Sequence, residues 1–165
     1  MHLADVKSAD KDEKKPLDFN GKLDALRYFC AYRERTKKEV REKANGMDMT
    51  DDEWERAIAE LQEGGYQDDE RYAAAYVTGH FRIKGWGRNK IRHGLKFSGL
   101  TESVIRAAIM KNIDEDEYLQ KLTEVLRSKG SERVKTAKER DKLVRFALQR
   151  GFEYEAIRQC LNHDS

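Results

Sequence analysis

The sequence predicts an all-α protein of three tandem three-helix repeats, stacked into an elongated, curved array. Three observations predict it. The 165 residues contain a single proline, Pro16, in a chain rich in Lys, Arg, Glu, Leu and Ala, which favours helix over sheet. Apolar residues recur three and four positions apart from about residue 22 to the end. The same set of helix anchors and glycine stops then returns three times.

Residues 1–21 alternate charges of both signs and offer almost nothing to bury, which predicts a disordered charged tail. The first repeat, 22–65, opens with Leu23, Leu26, Phe29 and Cys30 on one face of a helix near 22–35. A second helix runs from about Thr36 to Ala44 and stops at Asn45-Gly46. A third carries Trp54, Ala57, Ile58 and Leu61 and breaks at Gly64-Gly65. Thr36 with Glu39, and Thr50 with Glu53, have capping-box spacing, in which hydroxyl and carboxylate satisfy the free N–H groups of a helix start.

In the second repeat, 66–113, Tyr72, Ala73, Tyr76 and Val77 line the first helix. Ile91 and Leu95 anchor the second, which stops at Gly99-Leu100, and Ile105, Ala108 and Ile109 anchor the third. The third repeat, 114–165, sets Leu119, Leu122, Val125 and Leu126 on its first helix. Leu143, Phe146 and Ala147 follow before Gly151-Phe152, and Ile157, Cys160 and Leu161 end the series.

The register supports the repeat. Val40 to Trp54, Ile91 to Ile105 and Leu143 to Ile157 are each 14 residues apart, and Val40, Ile91 and Leu143 follow one another at 51 and 52. The copies differ in two places: a longer link from Gly46 to Thr50, and about four extra residues near Gly130-Ser131. A unit of about 45 residues buries too little apolar surface to stand comfortably alone, so neighbours should stack and share cores.

No stretch approaches the roughly 18 consecutive apolar residues of a membrane span, and no apolar run of a signal peptide opens the chain. The expectation is a cytoplasmic, monomeric protein. Cys30 and Cys160 cannot form a disulfide framework and read as core thiols. Asp68, Asp69 and Glu70 sit at a helix start, where carboxylates cap N–H groups and favour the dipole, and no converging ligands suggest a metal. The four histidines lack ligand-like spacing, and Gly85-x-Gly87 lacks the further glycines of a nucleotide loop. No nucleophile stands with a base. The expectation is no enzyme, no catalytic residue, no metal and no cofactor.

Charge is distributed unevenly behind a net of +2. Between Asp48 and Glu70 ten acidic residues face Arg56 alone, whereas Arg71 to Thr101 holds seven Lys or Arg and no acid. Arg127 to Arg150 holds nine basic residues and three acidic ones. Basic zones of this kind suit a polyanion or an acidic protein surface. Arg88, Arg92 and Lys96 share one side of the second helix of repeat two, and Arg82, Lys84 and Lys90 lengthen this cationic strip. Lys135, Lys138, Lys142 and Arg145 form a similar stripe in repeat three, interleaved with Glu139 and Asp141. Each strip reads either as a contact surface for DNA phosphates and acidic protein or as a solvated face. Trp86, between two glycines, either stacks on a partner or closes a junction between helices, and the second reading is preferred.

The run from Gly65-Tyr66 through Asp68-Asp69-Glu70-Arg71-Tyr72-Ala73 to Tyr76-Val77, followed by Lys84-Gly85-Trp86-Gly87-Arg88, Ile91-Arg92 and Leu95, resembles the core of the RecX family. Lys138-Glu139-Arg140, Leu143, Arg145-Phe146, Arg150-Gly151-Phe152, Ile157 and Leu161 agree with its third unit. Leu26, Tyr32, Arg33, Thr36, Glu39 and Val40 are similar to its opening one. The resemblance covers residues 22–162. It implies binding to the RecA recombinase filament on single- or double-stranded DNA and modulation, usually inhibition, of ATPase and strand exchange, with no cofactor. Two readings compete. A direct DNA-binding protein could use the units as helix-turn-helix modules, although the third helices offer one arginine each. A helical adaptor could serve another acidic partner.

Overall fold

The computed structural model describes residues 15–163, and over them the chain is helical, with no strand among the described residues. The first unit is α1 (Phe19–Tyr32), α2 (Lys37–Asn45) and α3 (Asp51–Glu63). The second is α4 (Asp69–Arg82), α5 (Arg88–Phe97) and α6 (Glu102–Asn112). The third is α7 (Glu115–Ser128), α8 (Ala137–Gln149) and α9 (Tyr154–His163), with a 3-10 turn at Ser131–Arg133 between α7 and α8. The protein is thus three tandem three-helix repeats.

Most of the expected tail, residues 1–14, lies outside the described residues. Its end does not hold as tail: α1 begins at Phe19, because the Asp18 carboxylate accepts the Gly21 N–H at 2.8 Å and starts the helix early. The same helix stops at Tyr32 rather than near 35, since Arg33 is already extended ahead of the next cap. Both expected capping boxes are formed: the Thr36 and Thr50 hydroxyls accept from Glu39 and Glu53 N–H, and the two carboxylates reach back to the cap amides. At Glu53 the Thr50 amide hydrogen bond leads in holding the carboxyl below its usual range.

The anchors at the 14-residue spacing are all inside: Val40 and Trp54, Ile91 and Ile105, Leu143 and Ile157 are buried. A fully buried aliphatic or aromatic side chain contributes about 1.5–3 kcal/mol relative to exposure, so each anchor contributes on that scale to its unit. The interior forms two clusters. One belongs to the first unit, from Leu23 to Leu61. The other runs without a break from Ala73 in α4 to Leu161 in α9. The second and third units therefore share a core, as stacking requires.

Aromatic rings make that shared core. Phe81, Tyr118 and Phe152 are each almost wholly buried, with ring centroids 5.8 Å apart from Phe81 to Tyr118 and 5.3 Å from Tyr118 to Phe152. Four expected core residues lie outside it. Tyr72, Tyr76, Leu119 and Phe146 are half-buried at its margin. The backbones also bond across this seam, Gly87 N–H to Arg150 O at 2.8 Å and Asn89 N–H to Gly151 O at 2.9 Å.

The first and second units meet through polar groups. Gln67, 1% exposed, donates to Arg35 O at 3.3 Å and to Asp69 at 2.9 Å. Asp69 also accepts the Lys37 N–H at 3.0 Å, and Arg71 donates to Glu34 at 2.7 Å.

Candidate functional site

The strip expected in the second unit is not a row of free cations. The Arg88 guanidinium donates to Glu115 at 2.5 Å and to Glu153 at 3.1 Å, and lies 3.8 Å over the Tyr118 ring. The Arg88 backbone N–H donates to the Tyr118 hydroxyl at 3.2 Å, which in turn donates to Glu153 at 2.7 Å. Four residues from α5, α7 and the start of α9 thus satisfy one another. Burial works against the Arg88 charge, but the hydrogen bond to Glu115 and the field of Glu153 outweigh it and hold the guanidinium above its ordinary range. Burial, reinforced by Glu153, pushes the Tyr118 phenol well above its usual value.

Neighbouring members of the strip are also engaged. Arg82 donates to Glu117 at 2.8 Å, a hydrogen bond that raises its pKa further. Arg92 reaches Glu102 at 4.0 Å and Asn89 at 3.4 Å. The ammonium groups of Lys84 and Lys90 sit 5.5 and 4.3 Å from the Trp86 ring centroid. The expectation that no acid balances this strip therefore fails. It counted acids along the chain, whereas Glu115, Glu117 and Glu153 are delivered by the next repeat. Lys96 is the exposed residue that remains. Trp86 packs 4.5 Å from His80, which stacks on Tyr76 at 3.7 Å, so the tryptophan closes the α4–α5 corner while keeping one part in solvent.

The third-unit strip is different. Among the described residues, no carboxylate pairs with the side chains of Lys135, Lys138, Lys142 or Arg145, all of which are exposed. Glu139, which the sequence interleaves with them, is otherwise occupied. Its carboxylate accepts the Lys135 N–H at 2.8 Å, and its N–H donates to the Thr136 cap. The local spacing that made this strip look neutralised instead builds the start of α8. Lys138, Lys142 and Arg145 follow each other at helical i, i+4 and i+3 steps, so their charges share one face.

Asp68 caps α4 by accepting the Arg71 N–H, Asp69 joins the units as described, and Glu70 lies in the first turn of α4, where a carboxylate favours the dipole. Cys30 and Cys160 are buried and free, and burial raises the Cys30 thiol pKa. Among the described residues, no group of three or more His, Cys, Asp or Glu could hold a metal ion, and no helix is long and apolar enough to cross a membrane.

Comparison with known proteins agrees with this architecture. The family model described as RecX, second three-helix domain, matches residues 68–109, and that described as RecX, third three-helix domain, matches residues 114–161. A relative named regulatory protein RecX from Escherichia coli (strain SE11) is 32% identical over 145 residues, covering 82% of this chain and 86% of that protein. One of the same name from Clostridium perfringens (strain SM101 / Type A) is 30% identical over 140 residues and 79% of this chain. The match spans 64% of that longer relative. In structure, the chain is similar to RecX from Lactobacillus salivarius with a TM-score of 0.81 at 20% identity, over 88% of this chain and 95% of that one.

Proposed function

The chain belongs to the RecX family of regulatory proteins, and from that premise we propose that it binds the RecA recombinase filament on DNA and inhibits its ATPase and strand-exchange activities. It does so as a binder with no cofactor, in the cytoplasm. The observation that carries the reading is the exposed, unpaired cationic face of the third unit, Lys135, Lys138, Lys142 and Arg145. Unpaired cations grouped along and just before α8 suit a filament that presents phosphates and acidic protein together, because no internal ion pair has to break on contact. In the second unit Lys84, Lys90 and Lys96 extend the surface. Arg82 and Arg88 act chiefly by joining the second unit to the third, and Arg92 pairs within its own unit.

The test is DNA-stimulated ATP hydrolysis by purified RecA with the protein added. Wild type slows hydrolysis. Joint replacement Lys138→Glu, Lys142→Glu and Arg145→Glu raises the concentration needed by at least about tenfold, as the loss of several salt-sensitive contacts requires. Equal inhibition by this variant removes the face from the reading. A wild type without effect on hydrolysis or strand exchange removes the reading itself. A duplex titration without RecA, at two salt concentrations, separates direct DNA binding from filament binding.

A further inference from the structure

The extra residues of the third repeat have a structural product. The α7–α8 link covers residues 129–136, against 33–36 and 83–87 at the same place in the first and second units. It turns at Gly130, whose φ of 88° lies in the left-handed region. Arg133 N–H then closes the Ser131–Arg133 turn on Gly130 O at 2.9 Å, and Val134 leaves it extended. The loop stands off α8 and leaves a cleft of about 520 Å³. Val134, Leu143 and Phe146 line its floor, and Lys129, Arg133 and Lys142 stand around it. Glu139 is the one acid of its lining, and one of its oxygens accepts the Lys135 N–H.

We propose that this cleft is a docking site for an acidic protein segment that places one bulky apolar side chain between flanking Asp or Glu residues. Charge complementarity argues for the occupant: Lys129, Arg133 and Lys142 surround the opening against the single carboxylate of Glu139, so the lining is net positive. The floor adds a requirement that phosphates alone do not meet, because apolar surface gains only from an apolar group placed on it. An aliphatic or aromatic side chain flanked by carboxylates satisfies floor and rim together. The site holds whatever the identity of the filament partner.

Fluorescence anisotropy with the full chain tests this, using a labelled synthetic pentapeptide, Asp-Glu-Phe-Glu-Asp. Its controls are the same peptide with glycine in place of phenylalanine, and an oligothymidylate of equal charge. The phenylalanine peptide binds at least about tenfold more tightly than the glycine peptide, the factor expected for burying much of one aromatic side chain. Lys129→Glu with Arg133→Glu weakens it by a similar factor. Arg106→Glu with Lys111→Glu, an equal change of charge on exposed positions of α6, leaves it within about twofold of wild type. Circular dichroism confirms that both variants keep their helix content. Equal binding of the two peptides, equal or tighter binding of the oligothymidylate, or equal weakening by the α6 variant overturns the proposal. Because no recombinase is present, failure here leaves the filament reading standing, and failure of that reading leaves this one.

Discussion

Gly87 and Gly151 face each other across the seam between the second and third units with no room for a side chain on either. A β-carbon on Gly87 would stand 2.4 Å from the Gly151 carbonyl carbon, and one on Gly151 2.4 Å from the β-carbon of Lys90. Gly151 also has a φ of 97°, which an L side chain resists. The two inter-unit backbone hydrogen bonds hold the chains this close.

Gly87→Ala should therefore force the seam apart. The obstacle is backbone rather than the tip of a flexible side chain, so the cost should reach about 1–3 kcal/mol. Urea denaturation followed by circular dichroism measures it. A midpoint unchanged from wild type would mean that the units are not held at this distance in solution.

Tyr118→Phe removes one hydroxyl and leaves both the Glu153 carboxylate and the Arg88 amide short of a partner. The loss should be about 1–3 kcal/mol. The same phenol gives a pH signature. Burial raises its pKa in the folded protein above that of the unfolded chain, about 10, so its contribution is complete below that pH. Above it the unfolded state gives up the proton first, and stability falls by up to about 1.4 kcal/mol per pH unit until the folded phenol ionises. Denaturation series on either side of pH about 10 should show a steeper alkaline decline in wild type than in Tyr118→Phe. Parallel declines would place the hydroxyl in water.

Arg88→Glu should fail as a probe of binding, because it sets a third carboxylate against Glu115 and Glu153 in a half-buried place. Its melting temperature should drop by several degrees, while Lys142→Glu, on an exposed position without an ion pair, should melt within about a degree or two of wild type. Thermal melts of the two variants side by side decide this. Matching melts would show that the Arg88 bridge contributes little.

The residues that repeat in the sequence were legible in it. Val40, Ile91 and Leu143 occupy equivalent buried places because a three-helix unit offers one way to face its apolar stripe inward, and Thr36 and Thr50 advertise helix starts through local spacing alone. What was illegible lies between units. Tyr118 is not among the anchors expected on its helix, yet Arg88 and Glu153 arrive from 30 and 35 residues away to satisfy its hydroxyl. Gln67 is buried for the same kind of reason, through Arg35 and Asp69. Charge counts along the chain misjudged both strips. Glu117 meets Arg82 across 35 residues, whereas Glu139, sitting among the lysines, turns to its own helix cap. A signal exists for the first case: Asp114, Glu115, Asp116 and Glu117 open α7 in excess of what one cap needs.

The division of the interior into two clusters sets the order in which the molecule comes undone. The apolar interior of α4 to α9 is continuous, so its six helices should surrender their amide protection as a single event. The leading three helices own a smaller interior and lean on their neighbour through Gln67, Asp69 and Arg71. Deuterium should enter α1, α2 and α3 first, while the remainder is still closed. Added salt should widen that gap, since the ion pair joining the leading helices weakens and the greasy seam behind them does not. Simultaneous exchange from α1 through α9 would contradict it.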